Sequence, residues 1–224
     1  MFLGHFAAGL GGKAVAPRTS LGTLFFAAQF VDLLWPTLLL LGLEEVAIRP
    51  GVTAFNPLDF VSYPYSHSLL MAFVWSGVFA GVYWLVRKNG RGATVAGLLV
   101  FSHWVLDLVV HRPDLPLAFG ESTRVGFGLW HSVPATIAIE LLLIVAGTVL
   151  YLRTTRARDR VGRLAFWGLI AFLLLIFLSS FGAPPPNASA IAWVGQAQWL
   201  LVLWGYWVDR HRRDGNDRST FGAR

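Results

Sequence analysis

The chain contains no cysteine, which excludes disulfides and thiolate metal sites. Charge is also scarce. Only 13% of the 224 residues are Asp, Glu, Lys or Arg, while 55% are hydrophobic. A globular average is about a quarter charged, and a mean hydropathy of +0.59 is too apolar for a domain with a wet surface. A basic leader is missing as well. Ala14-Val15-Ala16 imitates a cleavage site, but Met1-Phe2-Leu3-Gly4 supplies no positive charge and Pro17 would follow the cut, so no secretory signal is expected. Nothing in length or composition calls for a second domain.

What is abundant is apolar sequence in runs of spanning length. They lie at Leu21–Leu43, His67–Val86, Ala93–His111, Leu129–Leu152, Leu164–Phe181 and Ala190–Val208. Each approaches the ~20 residues that cross a hydrocarbon core. The runs are continuous rather than alternating, which selects helices over strands. The expectation is an all-α polytopic membrane helix bundle, with about six transmembrane helices and a short N-terminal helix. Residues 1–210 form this single domain, and 211–224 are expected to be a disordered cytoplasmic tail.

The basic residues set the expected topology. Lys13, Arg18, Arg87, Lys88, Arg91, Arg153, Arg156, Arg158, Arg160, Arg163, Arg210, Arg212, Arg213, Arg218 and Arg224 fall on one side of a six-span scheme. Only Arg49, Arg112 and Arg124 fall on the other. The positive-inside rule places both termini in the cytoplasm. The basic balance is thereby assigned to anionic lipid, and no nucleic-acid partner is expected.

Ionisable residues inside the spans carry the chemistry, since each is costly in lipid and needs a partner or a wet cavity. In Phe101-Ser102-His103-Trp104-Val105-Leu106-Asp107-Leu108-Val109-Val110-His111, the residues His103, Asp107 and His111 recur at i, i+4 and i+8. On a helix they share an arc of about 80°. Imidazoles and a carboxylate on one face suit a divalent cation; the plainer reading is a hydrogen-bonded polar seam. Asp32 sits mid-run, His67 and His131 open their spans, and Glu140 is deep in the fourth. At ~1.5 Å per residue, Asp32 and His103 lie roughly 15–20 Å from the basic side. Asp107, His111, His67 and His131 come progressively nearer the opposite face, as a funnel would. His5 reaches the same depth if the Gly-rich segment Met1–Ala16 dips into the bundle. Gly77-Val78-Phe79-Ala80-Gly81 reads as a small-residue packing stripe. Arg112 stands at the funnel mouth, placed to grip an anionic headgroup or to snorkel to phosphate.

Gly4-His5-Phe6, the mid-helix Asp32, Ser66-His67-Ser68 and His103-x-x-x-Asp107 together resemble the bacterial membrane-bound metal-dependent hydrolase family, the YdjM-like (LexA-binding, inner-membrane) group. That group is distantly similar to zinc-dependent phospholipase C and nuclease P1. The resemblance covers roughly residues 1–135 and none of the last two spans. It implies a bacterial inner-membrane hydrolase with metal ligands His5, Asp32, His67, His103, Asp107, His111 and His131. It implies one or two ions, zinc foremost, with Asp32 or Asp107 as general base and Arg112 toward a phosphoester or other ester of a lipid-like substrate. Two departures stand out: Asp107 to His111 is shorter than in the phospholipases, and Ala135 stands where a Glu is expected. Rival readings are a metal-binding protein without hydrolysis, an ion- or proton-coupled transporter, and a haem carrier. The carboxylates beside the histidines disfavour haem.

Overall fold

A computed structural model describes residues 1–215. Its helices are α1 (Leu3–Val15), α2 (Leu21–Ala28), α3 (Phe30–Leu40), α4 (Pro64–His67), α5 (Leu69–Arg87), α6 (Gly90–Val110), α7 (Val133–Thr154), α8 (Arg160–Ser179), α9 (Ala188–Gln196) and α10 (Gln198–Arg210). Three two-stranded antiparallel ribbons join them: β1 (Glu45–Ile48) with β2 (Leu58–Ser62), β3 (Leu115–Pro116) with β4 (Arg124–Val125), and β5 (Thr155–Ala157) with β6 (Arg212–Asp214). The architecture is helical, and the ribbons only close the ends of the bundle.

Four helices, α5 to α8, are long and apolar enough to cross a membrane. A fifth span results if α2 and α3 count together, bent by 55° at Gln29. The last apolar run is likewise divided, into α9 and α10 at Ala197. Many large side chains on the outer faces are exposed, among them Val82, Leu85, Leu142, Val145, Leu175, Leu178 and Leu203. An apolar surface of that extent belongs against lipid.

Local chemistry explains the boundaries. Ser20, Ser68, Asn89, Ser132, Asp159 and Asn187 each accept a hydrogen bond from a backbone N–H in the first turn of the helix that follows. Lys88 ends α5 in the left-handed region, φ 50°, which reverses the chain into α6.

The short first helix, α1, runs through the middle of the bundle. It is buried at Leu3, Gly4, His5, Phe6, Ala7, Gly9, Leu10, Gly12 and Lys13. Gly147 of α7 makes the closest crossing possible, since a Cβ there would stand 2.8 Å from Ala7 Cα. Glu140 holds the start of α1: its two oxygens accept the Phe2 and Gly4 N–H groups, each at 2.9 Å. A carboxylate there also complements the helix dipole. Lys13 fixes the other end through Asp209 of α10 at 2.8 Å.

Two expectations need correction. Arg212–Asp214 pair with Thr155–Ala157, so the first residues of the expected disordered tail form a strand; residues 216–224 lie outside those described. Gly77 and Gly81 meet no neighbour, and α5 packs on α6 through Ser76 and Ala80 against Gly97 instead.

Candidate metal centre

Five sequence-selected residues converge. Among the described residues, two groups of side chains bring ligand atoms within 4.8 Å of one another: His5, His103 and Asp107, and Asp32, His67 and His103. They come from α1, α3, α4 and α6, and His103 belongs to both groups. All but Asp32 are buried; the Asp32 side chain is 25% exposed.

The distances identify the kind of contact. Asp32 Oδ1 stands 3.5 Å from His67 Nε2 and 3.6 Å from His103 Nε2. Asp107 Oδ2 stands 3.8 Å from His67 Nε2 and 3.2 Å from His103 Nε2. His103 Nε2 is buried with no hydrogen-bond partner. These separations are long for charge-assisted hydrogen bonds. They are nearer the ligand–ligand edge of a tetrahedral cation with ligands at 2.0–2.1 Å, about 3.3 Å, and Asp32 and Asp107 fall in different groups that share His103.

Tautomers agree with that geometry. His103 Nδ1–H donates to the Ala28 carbonyl, 2.9 Å away at the α2–α3 bend. His67 Nδ1 lies 2.6 Å from Ser66 Oγ, and Ser66 Oγ–H donates to Glu44 Oε2 at 2.6 Å. Both rings therefore carry a proton on Nδ1, and in its neutral form each aims a bare Nε2 at the carboxylates. Neutral imidazole nitrogens facing carboxylate oxygens repel without a positive charge between them.

His5 stacks flat on His103, with ring centroids 3.6 Å apart and 4° between planes. Its Nε2 lies 3.1 Å from Asp107 Oδ1, the oxygen that also receives the Met1 ammonium at 2.6 Å. Both oxygens of Asp107 are thus occupied, one on each side of the cluster.

Three candidates stand apart. His111 terminates α6 in extended backbone, φ −64° and ψ 144°, so the helical phase that aligned it with Asp107 stops at Val110. Its ring turns to Asp114 Oδ1, with Nδ1 at 2.9 Å, and packs on Trp130 and Phe60. Tyr63 shares that carboxylate; burial and the Asp114 charge push its phenol well above the usual range, so it remains a donor. His131 is exposed on a 3₁₀ turn and joins neither group. Arg112 pairs with Asp59 and, at 3.0 Å, with Asp114, so its guanidinium ties α6 to the β1–β2 ribbon.

Sequence reasoning passed over Glu44 and Ser66. The signal was present: Ser66 adjoins His67, and Glu44 is a buried carboxylate at the end of an apolar run. No family model, curated protein or solved structure matches this chain.

Proposed function

We propose that this chain is a six-span protein of the bacterial cytoplasmic membrane, with both termini cytoplasmic, whose His/Asp cluster holds a divalent cation and hydrolyses an ester of a lipid-like substrate. Zinc is the favoured ion. The observation that carries the reading is the four carboxylate–imidazole separations of 3.2, 3.5, 3.6 and 3.8 Å that link Asp32, His67, His103 and Asp107, with both Nδ1 atoms engaged elsewhere. The resemblance to membrane-bound metal-dependent hydrolases adds the reaction class.

When bound, a divalent cation lowers the pKa of a coordinated water toward 7 and polarises a phosphoryl or acyl oxygen. The chain's own groups then divide the work. Asp32 is the one partly exposed member, so its outer oxygen is placed to take the proton of the attacking water as general base. Asp107 cannot take that role, because both its oxygens already face cationic or imidazole partners. His67 and His103 hold their bare nitrogens inward. In a phosphoester, the water oxygen bonds to phosphorus, the ester P–O bond breaks, and the lipid alcohol leaves with a proton. A lipid-linked substrate would enter sideways from the bilayer.

Transport is the reading of a different class. It needs polar residues continuing toward the basic end, whereas below His103 the α6 residues Ala93, Val95, Ala96, Leu99 and Val100 are apolar and buried. A chelator test separates the alternatives. Purified protein is offered a panel of lipid phosphoesters and carboxylic esters in vesicles. Hydrolysis that is lost on metal stripping, restored by zinc and abolished in Asp32→Asn supports the proposal. Stoichiometric zinc with no turnover of any substrate class points to metal binding without hydrolysis.

A further inference from the structure

A buried chain of three polar groups leads away from the cluster on the side opposite the carboxylates. Glu44 is 4% exposed, Ser66 is fully buried and His67 is 4% exposed. Glu44 Oε1 accepts two backbone N–H groups, from Tyr65 and Ser66, each at 2.8 Å. Glu44 Oε2 accepts the Ser66 hydroxyl at 2.6 Å, and Ser66 Oγ meets His67 Nδ1 at 2.6 Å.

The direction of this chain is forced. An ionised carboxylate only accepts, so the serine proton points at Glu44. Ser66 Oγ can then only accept on its other side, and the donor must be His67 Nδ1–H. In the neutral ring Nε2 is then left bare, facing Asp32 Oδ1 and Asp107 Oδ2. We propose that Glu44 and Ser66 are positioning residues that fix the tautomer and ring angle of His67 for cation ligation. The inference rests on the metal reading for its purpose but not for its geometry. Partners of this kind, one shell out from a ligand, typically change metal affinity 10–100-fold when removed.

The arrangement makes the shape-conserving Glu44→Gln variant informative. The two backbone donors hold an acceptor at the Oε1 position, so the glutamine carbonyl must stay there. Its NH₂ then occupies the Oε2 position and donates to Ser66 Oγ. The hydroxyl turns round and donates to His67 Nδ1, which forces the ring proton onto Nε2. One atom changed at Glu44 thereby places a proton where the cation would sit.

The test uses full-length protein in detergent with ¹⁵N-labelled histidine. The chain has six histidines, and His67→Gln assigns the resonance of interest. In metal-free protein, long-range ¹H–¹⁵N correlation should report Nδ1–H at His67 in the parent and Nε2–H in Glu44→Gln. Zinc affinity by chelator competition should fall about 10–100-fold in Glu44→Gln and Ser66→Ala, and stay within roughly threefold in Ser66→Thr, which keeps the hydroxyl. Thermal unfolding confirms that the variants are folded. A parent tautomer of Nε2–H, or parental tautomer and affinity in folded Glu44→Gln, overturns the proposal while leaving the cation reading intact. The expected tautomers in a parent that binds no zinc uphold the positioning chain and remove the cation reading instead.

Discussion

Removing the Glu140 side chain is the perturbation through which the buried first helix can be tested. Glu140 is 1% exposed in the first half of α7, and it accepts the Phe2 and Gly4 N–H groups at 2.9 Å. Glu140→Ala leaves two donors unsatisfied in an apolar interior. Each costs about 1–3 kcal/mol, so the loss is about 2–6 kcal/mol before any cavity contribution. Glu140→Gln keeps one acceptor and should cost about half as much. In a chain of this size 1 kcal/mol moves Tm by about 2–4 °C, so Glu140→Ala should lower it by roughly 5–20 °C in detergent. His5 sits in the first turn of α1 and stacks on His103, so zinc affinity should fall as well, and by more than in Glu140→Gln. A Glu140→Ala variant within about 2 °C of the parent would refute the claim that this carboxylate anchors α1.

Three further outcomes follow from the packing. Gly147→Val places a side chain against the Ala7 backbone; it should cost at least the roughly 1–3 kcal/mol of an overpacked core, read as a fall in Tm, whereas Gly77→Ala, with open space around it, should be neutral. Lys13→Met leaves Asp209 without its cation at 2.8 Å, and loss of one partner of a buried pair costs about 3–5 kcal/mol; Lys13→Met/Asp209→Leu should recover most of it. At the basic end, the hydrogen bond from His211 first, and the Gly162 N–H second, hold the Asp159 carboxyl below its usual value. Its contribution to stability is therefore present above about pH 4 and lost as pH falls further; His211→Ala should move the Asp159 midpoint upward in a ¹³C carboxyl titration.

The four long helices were legible because hydropathy reports length directly, and α5 to α8 lie close to the apolar runs that announced them. Hydropathy does not report direction. The first and last runs read as single spans, yet one bends by 55° at Gln29 and the other breaks at Ala197. Polar residues marked both places, Gln29 in one run and Gln196 and Gln198 in the other, the second beside Gly195. The bend at Gln29 has a consequence for the site, since the Ala28 carbonyl beside it orients His103.

For the cluster, helical phase put His103 and Asp107 together correctly and failed at His111, where the helix had already ended. His5 was reachable because glycines let α1 into the bundle. The residues that orient the ligands were harder to read. Glu44 lies between two elements and acts across 22 positions on Ser66, a contact that no periodicity announces. Arg112 shows what a span-end position does not announce, since it meets two carboxylates from its own chain.

The central claim is that Asp32, His67, His103 and Asp107 hold a cation. Metal content by inductively coupled plasma mass spectrometry, on detergent-purified protein beside a folded His103→Ala/Asp107→Ala variant, tests it most directly. The account predicts about one equivalent or more of zinc in the parent and none above background in the variant. No metal in the parent, even after reconstitution with zinc and manganese, would contradict it and leave the cluster as a polar seam between helices.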